Sequence, residues 1–85
     1  MTQLFDSRKV RFLCRRGLLE LDVILRPFFE QHYEELTDSQ KSVFIRFLDE
    51  PDPDLLNWLM LHYQPEDKDY KALVELIRSK MEIPS

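Results

Sequence analysis

The side chains able to ligate a metal, attack a carbonyl or exchange a proton near neutral pH are few in this sequence of 85 residues. Cys14, His32 and His62 stand on separate segments, with no second Cys or His at ligand spacing. A structural zinc site needs about four such ligands, so no metal is expected. A hydrolytic triad needs a nucleophile, a base and a group that orients the base, and no spacing assembles one. A loop that cradles phosphate needs several glycines, whereas Gly17 is the only glycine. No catalytic residue and no stably bound cofactor are assigned. The chain reads as a binding protein and not as an enzyme.

The remaining reactive candidates have plainer explanations. Arginines near Cys14 would lower a thiol pKa, but a small residue near Val10 and Leu13 fits the core of a first helix better. Trp58, flanked by leucines, reads as core before it reads as a partner hot spot. The acidic pairs Glu34-Glu35 and Asp49-Glu50 read as solvated helix ends. Residues 1–16 hold Arg8, Lys9, Arg11, Arg15 and Arg16 against Asp6, or +4, and the rest of the chain carries −8. Such a basic element could meet nucleic-acid phosphate. The acidic body would repel that phosphate, and five cations are not a groove-reading motif, so no nucleic-acid partner is expected.

One constellation is left, Arg15-Arg16-Gly17-Leu18-Leu19-Glu20-Leu21-Asp22. Most of it suits a corner between two helices. Gly17 would supply a left-handed residue with φ > 0, the arginines would complement the dipole of the helix they end, and Glu20 that of the helix it begins. At ~100° per residue, however, Leu19 and Val23 fall on the polar side beside Glu20, while Asp22 falls inside the apolar arc. A buried carboxylate requires a partner, and Arg26 at i+4 is one candidate. An outward Leu19/Val23 pair framed by Arg16 and Glu20 has the make-up of a contact patch.

The elements that hold this corner read as an all-α, compact five-helix bundle, one domain over residues 1–85. Apolar residues are 44% and charged residues 33%, and the scarcity of glycine disfavours hairpins. Ser7 is expected to cap a first helix running to about Arg16, with Val10, Phe12, Leu13 and Cys14 as its apolar positions. A second is expected from Leu18 to Glu34, kinked at Pro27. Thr37-Asp38-Ser39-Gln40 is a capping box ahead of the stripe Val43, Phe44, Phe47 and Leu48. Asp52 as N-cap and Pro53 at the first position open a fourth helix, which Gln64-Pro65 ends. Tyr70, Leu73, Val74, Ile77 and Met81 follow the helical period from Asp67 to Met81. A chain this short buries only roughly 60–65% of its unfolded surface, which favours surface recognition over a deep pocket. No apolar run approaches the ~18 residues of a membrane span, and no secretory leader is visible, so a cytoplasmic protein without membrane insertion is expected.

The octet resembles the signature of the SdhE family, the FAD assembly factors of succinate dehydrogenase and fumarate reductase. The family motif R-G-x-x-E is matched by Arg16, Gly17 and Glu20. The likeness continues through the basic segment Arg8 to Arg15, Leu21-Asp22, Pro27-Phe28-Phe29, Asp52-Pro53-Asp54-Leu55 and Asn57-Trp58-Leu59-Met60. Leu18 departs from the methionine common after that glycine. The resemblance implies a five-helix bundle that binds the flavoprotein subunit of succinate dehydrogenase or fumarate reductase and promotes covalent attachment of FAD. FAD then belongs to the client. Arg16 and Glu20 are then expected to dock on the flavoprotein, with Gly17 keeping the corner tight for close approach; with Arg15 and the outward Leu19/Val23 pair they form the expected partner-binding set. A monomer is expected, with weak pairing through Leu19/Val23 as an open variant. A flavin carrier and an antitoxin-like regulatory module are the alternative readings.

Overall fold

The computed structural model describes residues 7–83. Five α-helices follow one another: α1 (Ser7–Leu13), α2 (Leu19–His32), α3 (Asp38–Leu48), α4 (Asp52–Leu59) and α5 (Lys68–Lys80). A 3-10 turn, Tyr33–Glu35, extends α2. Among the described residues there is no strand. α5 packs against α2, α3 and α4, and α2 also lies against α4; Val10 of α1 joins the same buried core.

Local chemistry explains the firmest starts. Thr37 Oγ1 accepts from the Gln40 amide at 3.1 Å, and the Gln40 side chain accepts from the Thr37 amide at 2.9 Å. This is the expected capping box, satisfying two orphan donors reciprocally. Asp67 caps α5 by accepting from the amides of Asp69 at 2.8 Å and Tyr70 at 3.4 Å. The Asp69 amide, helped by Tyr70 and Arg46, holds the Asp67 carboxyl below its usual pKa. A depressed pKa means that the cap stabilises α5 above the usual carboxylate range and is lost as pH falls through the folded value.

The apolar stripes meet in the interior. Leu21, Leu25, Phe28 and Phe29 of α2 are buried, as are Phe44, Phe47 and Leu48 of α3. Phe28 meets Phe44 at 5.5 Å between ring centroids, and Tyr33 meets Phe29 at 4.8 Å and Phe44 at 5.9 Å. A second aromatic cluster joins α3, α4 and α5. Phe47 meets Tyr70 edge-on at 5.5 Å, and Trp58 lies 5.9 Å from Phe47 and 5.7 Å from Tyr70. Trp58 is therefore half-buried against the core. Tyr70, Leu73, Val74 and Ile77 are buried on α5, with Met81 half-buried just past its end, which accords with the helical period.

Several ends differ from the expectations. α1 stops at Leu13 and not at Arg16: the Cys14 amide still reaches the carbonyls of Val10 and Arg11, but Arg15 bonds only Phe12 at 3.1 Å. The Ser7 side chain, and the cap expected of it, lie outside the described residues. Phe12 is not a core position; it is 68% exposed. It lies ~200° around the helix from Val10, whereas Val10 and Cys14 share the buried side. α2 ends at His32, and the chain tightens into the 3-10 turn before reaching Glu34. The helix continues through Pro27.

α4 departs at both ends. Its N-cap is Pro51 and Pro53 is its second residue, so Asp52 is inside the helix and its carboxylate is used elsewhere. The helix closes at Leu59, ahead of Gln64-Pro65. Leu61 is left-handed (φ 61°), its amide bonds the Trp58 carbonyl at 3.1 Å, and the His62 amide bonds Asn57 at 2.9 Å. That pattern is a Schellman motif without its usual glycine. α5 ends the same way: Glu82 (φ 56°) bonds Ser79, and Ile83 bonds Arg78. The buried Arg78 guanidinium ties the two ends together, donating to the Leu59 carbonyl and to Ile83 at 3.5 Å.

Candidate functional site

The corner between α1 and α2 is built around one guanidinium. Arg16 Nε donates to Asp52 Oδ1 at 2.8 Å, and Nη2 lies 2.8 Å from the same oxygen. Nη1 donates to the carbonyls of Leu13 and Leu48, both at 2.8 Å, and Nη2 to that of Glu50 at 3.1 Å. Leu13 and Leu48 are the last residues of α1 and α3. One cation thus closes two helix C-termini, where orphan carbonyls and the dipole both favour it, and binds the first residue of α4. The Arg16 side chain is only 12% exposed. Its charge faces inward, so the expectation that Arg16 itself docks on a partner does not hold: the guanidinium is spent on Asp52 and three carbonyls, and it acts on the surface by fixing the corner.

Asp52 completes the lock. Its other oxygen, Oδ2, accepts the Gly17 amide at 3.2 Å. No glycine in the structure has positive φ, so the left-handed corner expected at Gly17 is not formed. The expectation failed because Arg16 and Asp52 close the end of α1, which leaves the glycine no terminating turn to make. A Cβ added at Gly17 would lie 3.8 Å from Asp52 Oδ2, an ordinary contact. Folding does not demand glycine here. Its one backbone donor is already taken by a carboxylate, so this amide is not free to receive phosphate.

Beyond the lock, the first turns of α2 face outward. Leu19 is 71% exposed and Val23 59% exposed, with Glu20 and Arg15 also at the surface. Leu21 and Leu25 anchor the opposite side of the helix at 0%. The displacement of Leu19 and Val23 from the apolar arc therefore corresponds to real exposure. Asp22 takes the partner its position suggested: Arg26 Nη1 lies 3.4 Å from Asp22 Oδ2. Of the six residues singled out by sequence, Arg15, Gly17, Leu19, Glu20 and Val23 present an outer face and Arg16 supports it from within.

Cys14 is fully buried beneath the corner. Burial pushes its thiol up to about 12, against a smaller opposing pull from Arg16, so the thiolate is inaccessible at physiological pH. Among the described residues no cluster of three or more His, Cys, Asp or Glu could hold a metal ion. No described helix is long and apolar enough to cross a membrane.

Sequence reasoning missed two parts of this region. Phe12 had a signal, its angular distance from Val10 and Cys14. Asp52 had none: it lies 36 positions from Arg16, and only the packing of α4 against α2 reveals the pair.

The chain has close counterparts among known proteins. Over 75 residues the chain is 45% identical to the FAD assembly factor SdhE of Yersinia pseudotuberculosis, covering 88% of this chain and 85% of that one. It is 41% identical over 78 residues to the protein of the same name from Coxiella burnetii, covering 92% and 95%. The solution structure of a UPF0350 protein superimposes with a TM-score of 0.76 at 36% identity, covering 96% of this chain and 87% of that one. Residues 8–81 match the family model Sdh5, flavinator of succinate dehydrogenase. With nearly all of its helical chain inside that match, the protein belongs to the Sdh5 flavinator family, which its relatives named SdhE also represent.

Proposed function

We propose that this chain is a non-catalytic assembly factor of the cytoplasm. It binds the flavoprotein subunit of succinate dehydrogenase or fumarate reductase and promotes covalent attachment of FAD to that subunit. The observation that carries this reading is the exposed Leu19–Glu20–Val23 face on a locked corner, in a chain whose family match spans residues 8–81. Arg15, Leu19, Glu20 and Val23 make the contact. Arg16 holds the corner, and Gly17 leaves its outer side bare so that a partner backbone can come close. The reactive chemistry belongs to the client's flavin. The helper acts as a monomer and favours a client arrangement in which flavin and acceptor side chain are aligned.

Calorimetric titration of the purified flavoprotein subunit with wild type and Glu20→Lys tests the reading. Wild type binds. Glu20→Lys keeps its helical circular dichroism, loses no more than ~1 kcal/mol of stability from the dipole contact, and binds at least tenfold more weakly. Failure of wild type to bind would overturn the function, and equal binding by Glu20→Lys would overturn the site.

A further inference from the structure

The corner accounts for Leu19, Glu20 and Val23 but not for Phe12, whose ring is 68% exposed on the seven-residue α1. Singly exposed apolar residues are ordinary. This one is not single. An open groove of about 400 Å³ is lined by Arg8, Arg11, Phe12, Arg15 and Arg26. A second, lined by Asp22, Val23, Arg26, Pro27 and Glu30, adjoins it through Arg26. The surface therefore runs unbroken from Phe12 to Val23. Exposed aromatic and arginine side chains are the residue types enriched where proteins meet.

Charge identifies what would cover it. Four guanidinium groups face two carboxylates, Asp22 and Glu30. Those carboxylates are engaged with Arg26 at 3.4 Å and with Arg11 at 3.3 Å. Both pairs are long, and the Arg11–Glu30 pair is about half exposed or more on each side, whereas Asp22 is only 25% exposed. A pair such as Arg11–Glu30 is worth little in isolation, so an incoming carboxylate can replace Glu30 on Arg11 at small cost. Among the described residues, the groove at Phe12 is lined by arginines and no carboxylate, on a chain with a net charge of −4.

We infer that the Phe12 groove is a second docking element, which receives an acidic segment of the client flavoprotein with an apolar side chain seated on the Phe12 ring between the arginines. This inference rests on the function proposed above and extends the contact from α2 onto α1. The apolar Phe12 ring among the arginines suits a peptide that brings an apolar side chain beside its carboxylates.

The test uses Phe12→Ser and Arg11→Glu, neither of which touches the Arg16 lock or Glu20. The full chain is titrated into the purified succinate dehydrogenase flavoprotein subunit at 50 and 500 mM NaCl, with Glu20→Lys beside it. Phe12→Ser is expected to weaken binding about tenfold at both salt concentrations, as loss of an apolar anchor does. Arg11→Glu is expected to weaken it about tenfold at low salt and to approach wild type at high salt, because screening removes a charge effect. If both variants bind like wild type while Glu20→Lys does not, the groove is overturned and the corner stands. If wild type does not bind, both fall. Two further arms use wild type without the subunit. Binding of a fluorescent single-stranded RNA that Arg11→Glu abolishes, or a dimer in sedimentation that Phe12→Ser dissociates, overturns the assignment of the groove to the client.

Discussion

The corner at Gly17 and the ends of α4 and α5 treat the same problem in opposite ways. Leu61 and Glu82 are left-handed, with φ of 61° and 56°, in turns where glycine is the usual residue. Gly17, the only glycine, sits where φ is not positive and a Cβ would meet nothing closer than 3.8 Å. The chain tolerates strain at two turns and places glycine at a corner that would fold without it. The corner is locked by four carbonyl and carboxylate partners of Arg16, whereas Arg78 ties the far ends by donating to the carbonyls of Leu59 and Ile83. A rigid corner with a bare outer side suits close approach by another molecule, whereas the far ends need only close.

The comparison breaks most visibly at the arginines. Arg16→Met orphans three carbonyls and leaves the half-buried Asp52 carboxylate unpaired, so it should cost about 3 kcal/mol. In a domain of this size that lowers Tm by at least ~12 °C. Arg78→Met strips the Leu59 and Ile83 carbonyls of a donor, and should cost about 1.5–2 kcal/mol in urea unfolding. The two should separate again in client titration. Arg78→Met binds normally per folded molecule, whereas Arg16→Met does not, because its corner is loose. Equal loss of binding in both would mean that stability, and not the corner, governs docking.

The glycine contrast sharpens it further. Leu61→Gly and Glu82→Gly should each stabilise by about 0.5–1 kcal/mol, the relief of a left-handed residue less the added freedom of the unfolded chain. Gly17→Ala should change stability least, by no more than ~0.5 kcal/mol, since its backbone is unstrained and its Cβ has room. Its effect belongs in the binding assay, where a methyl on the outer face should weaken the client contact. A destabilisation of about 2 kcal/mol or more at Gly17→Ala would show that the corner needs glycine for folding after all.

Much of this was legible in the sequence, for reasons tied to range. The capping box at Thr37, the Asp67 cap and the stripe of α5 are local patterns in which neighbours a few positions apart determine the outcome. The outward turn of Leu19 and Val23 was legible too, since angular position around a helix is a property of the segment. Helix ends at Leu13 and Leu59 were not. They depend on Arg16 and Arg78 reaching across the fold to carbonyls that no spacing rule connects to them. The same long reach removed Asp52 from its expected cap and Gly17 from its expected φ. Phe12 differs for another reason: it is apolar by type, but its angle on α1 sets it ~200° from Val10 and away from Cys14, on the solvent side.

The central claim is that an exposed face at a locked corner serves flavin attachment. Its most direct test is the acid-stable flavin fluorescence of the succinate dehydrogenase flavoprotein in cells lacking this chain, complemented with wild type, Glu20→Ala or Arg78→Met. Covalent flavin should be low without the chain, return with wild type, return with Arg78→Met in proportion to its folded level, and stay low with a folded, equally abundant Glu20→Ala. Equal flavin content in all of these cells would contradict the account.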